Sequence, residues 1–316
     1  MFSYSNYLIT PSIAILAVVL DYILGEPRRY HPLVGFGWFA DKFEHCFNPI
    51  HFQHKAKQRI IGMLALVLLL SPFVMLTHWL CDTNPTSVIA NTLLLYFAIG
   101  HKSLHDHANA VTSALKNNDG ALAKTAASYM VSRDSAAIEP IAATIESVLE
   151  NGNDGVFGAL FWCFIVGGAG ASAFRLANTM DAMWGYKTPL FFYFGWAAAR
   201  FDDVLNYIPA RLTALTYAVL GNTKLALKCW KTQAPLWDSP NAGPVMSAGA
   251  GALSMKLGGA ARYQNEWHQR PVLGAGKVPV AEDIERALTL VRHGVYLWLA
   301  VYLIIGCSYQ LVIFYA

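Results

Sequence analysis

One long apolar segment without any charged side chain constrains the fold most strongly. It runs from Ile60 to Leu80 and contains no Asp, Glu, Lys or Arg. A membrane-spanning helix needs about 20 predominantly apolar residues, and an internal proline such as Pro72 is tolerated there. Three further segments approach this length: Tyr7 to Leu24, Val88 to Gly100, and Gly294 to Tyr315. We therefore expect an all-α, polytopic integral membrane protein in which strands are nearly absent.

The composition agrees with this expectation. Hydrophobic residues make up 55% of the 316-residue chain and charged residues only 14%, against about 25% charged residues in ordinary soluble domains. The net charge of +3 comes without a basic tract, which argues against a nucleic-acid partner. The five cysteines include no close pair, which argues against a CxxC metal or redox motif.

The distribution of Lys and Arg predicts the topology. Residues 25–59 carry six, 81–87 none, 100–155 four and 224–292 nine. By the positive-inside rule, the polar segments form cytoplasmic helical loops of a multi-pass inner-membrane protein. Two more apolar stretches, Val156 to Phe174 and Tyr207 to Leu220, either raise the count from four spans to six or pack as buried or re-entrant helices. No internal repeat is evident, so residues 1–316 are predicted to form one domain.

The first polar cluster follows the first apolar segment. Asp21 lies near the end of that segment, where an acid is costly unless it reaches the interface or a partner. Gly25 is suited to ending the helix, and two prolines hold Glu26 and His31 in a stiff turn. The cluster is a candidate site, and a solvated juxtamembrane turn is the alternative.

A second cluster is acidic. Glu139, Glu146 and Glu150 share one face of a predicted helix that enters a turn containing Asp154. Like charges at this spacing repel each other, so a cation is expected to compensate them, and Mg²⁺ prefers carboxylate oxygens. The alternative is an ordinary acidic face exposed to solvent.

Two further clusters lie on predicted helices. Arg175, Asn178 and Asp181 recur every three residues along one helix face. Further along the chain, one helical turn presents a second set of carboxylates and an amide that suits Mg²⁺ and a polyphosphate: Asp202, Asp203 and Asn206. The alternative is a salt bridge from one of these acids to Arg200.

Glycine-rich segments form the last cluster. A loop that includes Asn241 and Gly243 precedes a helix of small residues, and Gly258 and Gly259 follow it. Backbone amides in such loops can bind phosphate, although the P-loop spacing is absent. The small residues at 167–172 are better explained by close helix packing. A histidine group at 101, 105 and 107 lacks the HExxH pattern and is more typical of a polar helix face.

Taken together and in order, these clusters resemble the motifs of the CobD/CbiB family. The resemblance covers about residues 21 to 275. The motifs are D-x3-G-E-P-x3-H-P from Asp21, S-R-D from Ser132, E-S-x2-E-N-x2-D-G from Glu146, N-T-x-D-x3-G-Y from Asn178, A-A-R-x-D-D-x2-N-x2-P-A-R-L from Ala198, and S-P-N-A-G with L-G-G from Ser239.

The resemblance implies an ATP- and Mg²⁺-dependent amide-forming ligase of the adenosylcobinamide-phosphate synthase type. Its substrates would be adenosylcobyric acid and (R)-1-amino-2-propanol phosphate, or a related amine such as ethanolamine phosphate. Phosphorylation would activate the corrinoid carboxylate before the amine attacks it. Charge neutralisation by Mg²⁺, Arg and Lys would supply most of the catalysis. The chain could form a homo-oligomer or associate with other late cobalamin-pathway membrane enzymes.

The resemblance also suggests roles for individual residues. Ligands to Mg²⁺ would come from Asp202, Asp203, Glu146, Glu150 and Asp154. Phosphate oxygens would be bound by Arg133, Arg200 and Arg211. The proton of the amine would go to Glu26 or His31. Substrate would contact Asp21, Asn178, Asp181, Asn206, Asn241, Gly243, Gly258 and Gly259.

One position departs from the family pattern. After S-P-N-A-G the family commonly has an acid where this chain has Met246, which bears on the choice of amine. The alternative function is that of a non-catalytic membrane protein of the same fold, either an AmpE-like signalling protein or a transporter. Intramembrane acids suit a transporter, but the acids here fall mostly in predicted cytoplasmic loops.

Overall fold

The computed structural model describes residues 8–27, 31–48, 54–82, 87–131, 137–263 and 266–315. Helices dominate, which confirms the all-α class. They are α1 Ile9–Leu24, α2 Pro32–Phe47, α3 Lys55–Asp82, α4 Ser87–Ala98, α5 His101–Lys116, α6 Gly120–Ser128, α7 Pro140–Gly152, α8 Gly158–Val166, α9 Gly168–Trp184, α10 Trp196–Leu220, α11 Thr223–Gln233, α12 Ala242–Ala252 and α13 Glu282–Tyr315.

Helices α3 and α13 are long and apolar enough to cross a bilayer, and α1 is a shorter apolar helix. In contrast, the segment predicted from Val88 to Gly100 contains α4, a helix of only 12 residues. The number of spans therefore stays a prediction.

The described helices fall into two compact units, and each is built from separate stretches of chain. The first unit comprises residues 1–100, 158–206 and 299–316, and the second comprises 101–157 and 207–298. Helices α10 and α13 contribute to both units. The prediction of a single domain stays a prediction.

The core of the first unit joins α2, α3 and α9. Phe36, Leu69, Met180, Trp184 and Phe194 are each at most 2% exposed in one cluster. Gly62 of α3 lies directly against the backbone carbonyl of Phe194, so even a methyl group at position 62 would overlap that oxygen. The absence of a side chain at Gly62 thus allows α3 to approach the segment before α10 closely.

The second unit surrounds α12, whose residues from Gly243 to Ala252 are all buried. It also contains four short strands that the sequence patterns do not predict: β1 Lys256–Gly258, β2 Ala261–Tyr263, β3 Glu266–His268 and β4 Val272–Gly274. Strands β1 and β4 pair antiparallel, as do β2 and β3. Three-residue strands are too short to show the alternating pattern that identifies a strand.

Two predicted segments differ from the structure. The apolar stretch from Val156 to Phe174 is not one helix, because α8 ends at Val166 and α9 starts at Gly168. The Gly168 amide donates a 2.6 Å hydrogen bond to Oδ1 of the buried Asn91, and a Cβ at position 168 would lie 2.6 Å from the Asn91 carbonyl oxygen. The small residues at 167–172 therefore serve helix packing. The turn expected around Asp154 is instead a π-helical turn over Asn153–Phe157.

Candidate functional site

The first unit collects polar side chains at the end of α1. Asp21 is only 1% exposed. Gly25 ends the helix with φ of +65°, as expected, and its amide donates to the Asp21 carbonyl. The Tyr96 hydroxyl donates a 2.7 Å hydrogen bond to the Gly25 carbonyl. The turn that carries Glu26 is therefore held in place by α4.

His31 begins α2 and is buried. Its Nδ1 accepts a hydrogen bond from the Leu33 amide at 3.2 Å, and its Nε2 lies 3.9 Å from Oε1 of Glu26. Burial lowers the pKa of His31, Arg175 lowers it further, and Glu26 opposes both effects. In the neutral ring Nδ1 is an acceptor, so the proton sits on Nε2 and faces Glu26. The Nδ1 lone pair of His31 thus accepts the hydrogen bond that caps α2.

Helices α9 and α10 present facing polar groups in the same unit. The Arg175 guanidinium donates to Oδ1 of Asn178 at 3.4 Å, and Nδ2 of Asn178 donates to Oδ1 of Asp202 at 3.4 Å. Asp202 is 8% exposed and Asn206, one turn further along α10, is 2% exposed. The predicted pairing of an acid and an amide on one turn is therefore present. Asp181 lies near the end of α9, which stops before Gly185.

Asp203 has a different environment from Asp202. It is 26% exposed and forms a 3.1 Å ion pair with the more exposed Arg200. Burial raises the pKa of Asp203, and Arg200 partly offsets this rise. Of the two acids that the sequence offered as partners of Arg200, Asp203 forms the salt bridge and is partly exposed, whereas Asp202 is buried.

Oxygen donors in this cluster fit Mg²⁺. Mg²⁺ is usually held by one or two carboxylates together with water and substrate phosphates, and not by an all-protein cage. In the part of the chain that the structure describes, no three His, Cys, Asp or Glu side chains converge closely enough to hold a metal ion. Asp202 together with Asp203 or Asn206 suits a site in which Mg²⁺ is held by one or two carboxylates, water and substrate phosphates.

The second unit holds the acids of α7. Glu146 is 2% exposed, and its carboxylate pairs with Arg270 at 2.9 Å and accepts the Gly258 amide at 2.9 Å. Arg270 is therefore the compensating cation that the acidic face required. Glu139 is not part of that face, because its side chain caps α7 by accepting the Ala142 amide at 2.7 Å.

The remaining acids of this group differ from Glu146. Glu150 is half-buried near the end of α7. Asp154 lies in the π-helical turn, where Oδ1 accepts from Nδ2 of Asn153, while Oδ1 of Asn153 accepts from the Thr213 hydroxyl. Among the predicted Mg²⁺ ligands, Asp202 and Asp203 belong to the first unit, and Glu146, Glu150 and Asp154 belong to the second.

The glycine-rich segments are built differently from a phosphate loop. Gly258 and Gly259 both have φ of +78°, which favours glycine. Their amides donate to Glu146 and to the Pro271 carbonyl, respectively, and the Gly243 amide donates to the Ser239 carbonyl. In this conformation, these amides are already engaged within the protein.

Arg211 organises the loop before α12. It donates to Oδ1 of Asn241 at 2.8 Å and to the Pro240 carbonyl at 3.0 Å, and its guanidinium lies 3.5 Å from the Tyr207 ring centroid. Met246 is 2% exposed in the fully buried part of α12. An apolar side chain fits that position, where an acid would need a partner.

The remaining sequence candidates are Arg133 and the histidine group at 101, 105 and 107. Arg133 lies outside the described residues. His107 is exposed, and its Nδ1 faces the Ser103 carbonyl. His101 and His105 pack together with ring centroids 4.8 Å apart. Burial lowers the pKa of His101 to about 4, as expected for a neutral histidine in the interior.

The sequence reasoning assigned no role to Arg175, Arg270 or Tyr96. Arg175 belongs to a polar cluster of the sequence, whereas Arg270 lies outside the quoted motifs and Tyr96 is one aromatic residue in an apolar segment. The roles of these three residues follow from contacts that the sequence does not show: Arg175 with Asn178, Arg270 with Glu146, and Tyr96 with Gly25.

Comparison with known proteins gives consistent matches over nearly the whole chain. The family described as CobD/Cbib protein matches residues 14–291. The cobalamin biosynthesis protein CobD of Chromobacterium violaceum is 51% identical over 90% of this chain and 93% of its own length. The protein of the same name from Stutzerimonas stutzeri is 52% identical over 93% of this chain and 97% of its own length.

A more distant relative with the same name, from Mycobacterium tuberculosis, is 34% identical over 88% of this chain and 90% of its own length. No solved structure matches the chain.

Proposed function

The chain belongs to the CobD/CbiB family and is a cobalamin biosynthesis protein, and from that premise we propose that it is an ATP-dependent amide ligase. It joins the amine of (R)-1-amino-2-propanol phosphate, or of a related amine such as ethanolamine phosphate, to a carboxylate of adenosylcobyric acid. The product is adenosylcobinamide phosphate.

The observation that carries this proposal is the buried polar cluster of the first unit. Asp21, Asp202 and Asn206 are each at most 8% exposed in a chain with very few charged residues. Burying carboxylates is costly unless they are paired. Acids buried inside this unit, beside an arginine, indicate a site for charged ligands.

Asp202 is the side chain best placed to hold Mg²⁺, with Asn206 one turn further along the same face of α10 and Asp203 on the neighbouring, more exposed face. Bound Mg²⁺ would neutralise phosphate oxygens. The exposed Arg200 adds a cation for the same oxygens, and Arg133 and Arg211 stay proposed phosphate contacts. Asp21, Asn178 and Asp181 would orient the substrates.

Proton removal from the attacking amine is assigned to Glu26. Its carboxylate is 40% exposed, so a substrate can reach it, whereas His31 is 7% exposed and uses its lone pair for the helix cap. Nε2 of His31 lies 3.9 Å from Oε1 of Glu26, so the ring can orient the carboxylate electrostatically without a direct hydrogen bond. His31 is therefore a positioning residue in this proposal.

We also place the protein in the cytoplasmic membrane, with the site loops on the cytoplasmic side. Only 33% of the most apolar stretch of α3 and 22% of that of α13 is buried within the protein, which suits lipid-facing helices. At the start of α3, Arg59 lies 5.5 Å from the Tyr193 ring and 5.4 Å from the Trp196 ring. Basic and aromatic side chains together are typical of the cytoplasmic interface.

The test compares Asp202→Asn with Asp41→Asn in detergent-purified protein. Asp41 is an exposed acid of α2 in the same unit. We expect Asp202→Asn to abolish amide formation at low Mg²⁺ while still unfolding in a cooperative thermal transition, which shows that the variant is folded. We expect Asp41→Asn to keep full activity. Unchanged product formation by Asp202→Asn would reject the metal role. A folded wild type that forms no product would favour a non-catalytic membrane protein.

A further inference from the structure

The amide of Asn178 lies between a cation and an anion. Its Oδ1 accepts from Nη1 of Arg175 and its Nδ2 donates to Oδ1 of Asp202, each at 3.4 Å. An amide has one acceptor end and one donor end, so these two neighbours allow only one orientation. The orientation of Asn178 is therefore set by both charged groups at once.

Arg175 is the cation that Asn178 links to Asp202. Asp202 is 8% exposed, and a buried carboxylate requires compensation by a cation or by hydrogen bonds. The other arginine nearby in the sequence, Arg200, points to Asp203 at 3.1 Å. Arg175 also acts on His31, whose pKa it lowers. Its charge thus acts within the buried cluster.

From this geometry we infer that Arg175 is a positioning residue, which fixes the carboxylate of Asp202 for a divalent cation through the side chain of Asn178. The inference rests on the proposed function, since it assigns the cation to Asp202. It adds a residue to the site that the sequence motifs did not assign, and it couples α9 to α10.

Positioning and simple electrostatics predict opposite effects on metal binding. If Arg175 acted only as a nearby positive charge, its removal would reduce repulsion and strengthen the binding of a divalent cation. If it positions Asp202, its removal lets Asn178 and Asp202 reorient, and binding weakens. The direction of the change therefore separates the two explanations.

The experiment measures binding of Mn²⁺ alone by electron paramagnetic resonance in detergent-purified full-length protein. The variants are Arg175→Ala, Asn178→Leu, the double variant and Arg175→Lys. The control is Thr179→Val, which removes a hydroxyl of the same helix that donates to the Arg175 carbonyl at 2.8 Å. We expect Mn²⁺ affinity to fall about tenfold in each of the first two variants, about 1.4 kcal/mol in binding free energy.

The double variant is expected to bind Mn²⁺ no more weakly than the weaker-binding single variant. Both substitutions remove the same link from Arg175 through Asn178 to Asp202, so their effects should not add. Arg175→Lys is expected to restore part of the affinity, and Thr179→Val to leave it unchanged. Tighter or unchanged binding by Arg175→Ala, additive losses in the double variant, or a wild type that binds no Mn²⁺ would overturn the inference. Mn²⁺ binding without amide formation by the wild type would instead reject the proposed function alone.

Discussion

At the scale of single residues, the contacts of His31 distinguish it from Glu26 as a proton acceptor, a choice that the sequence does not settle. The motif offers both Glu26 and His31 as proton acceptors. Nδ1 of His31 is committed to the Leu33 amide at 3.2 Å, and Nε2 carries the proton of the neutral ring. A group without an available lone pair cannot accept the amine proton, so we propose Glu26 as the base.

Substitution of the two residues should therefore give different kinetics. We expect Glu26→Gln to lower kcat by about 10² to 10⁴-fold, the usual contribution of a general base. His31→Asn keeps a side chain that caps helices well, so it should retain folding and reduce kcat by about tenfold or less. Steady-state amide formation measures both. Equal losses in the two variants would contradict the assignment.

The pair of Glu146 and Arg270 is a second case at this scale. Its side chains are 2% and 13% exposed, and Nε of Arg270 also donates to the Gly259 carbonyl at 3.0 Å. The pair joins α7 to the segment that carries β1 and β4. These contacts favour a structural role for Glu146, while its proposed role as a Mg²⁺ ligand stays a prediction.

Arg270→Met should leave the carboxylate of Glu146 buried without its cation. Breaking such a pair costs about 3 to 5 kcal/mol, whereas replacing both partners costs less. We expect the temperature of thermal unfolding to fall markedly in Arg270→Met and to fall less in the double variant that also carries Glu146→Gln. The control is Lys256→Met, which changes an exposed residue of β1. A double variant as unstable as the sum of both single variants would contradict this prediction.

At the scale of secondary-structure elements, α10 stays continuous through Pro209. Proline has no amide proton, so the carbonyl four residues earlier, at Leu205, lacks its helical donor. The indole Nε1 of Trp162 supplies that donor at 3.0 Å. Helix α8 thus satisfies the one backbone group of α10 that the proline leaves open.

Trp162→Phe removes this hydrogen bond together with part of the packing of the ring, and the hydrogen bond alone should contribute about 1 kcal/mol. Pro209→Ala restores an amide that can bond the Leu205 carbonyl within the helix. We therefore expect the cost of Trp162→Phe to shrink when Pro209→Ala is also present. Thermal unfolding of the four proteins in this double-mutant cycle measures the coupling. An equal cost in both backgrounds would show that the indole acts by packing alone.

Helix ends were predictable from the sequence where local chemistry determines them. Gly25 ends α1, as expected from a glycine after an apolar stretch. The break at Gly167 was not predictable, because it depends on Asn91, which lies 77 residues from Gly168 along the chain. Local patterns do not contain such a partner.

At the scale of the whole molecule, the family motifs identified most of the candidate residues but not their grouping. The sequence pooled Glu146 with Asp202 and Asp203 because all are acids at helical spacing. The structure gives Glu146 a partner 124 residues away, Arg270. An ion pair of that separation removes the charge imbalance on which the metal interpretation of Glu146 rested.

The most direct test of the account is whether the purified protein forms the amide. Detergent-purified protein would be incubated with adenosylcobyric acid, ATP, Mg²⁺ and either aminopropanol phosphate or ethanolamine phosphate, and the corrinoids analysed by mass spectrometry. The account predicts an amide product that requires both ATP and Mg²⁺, with the preferred amine identified by its mass. Folded protein that yields no amide with either amine would contradict it.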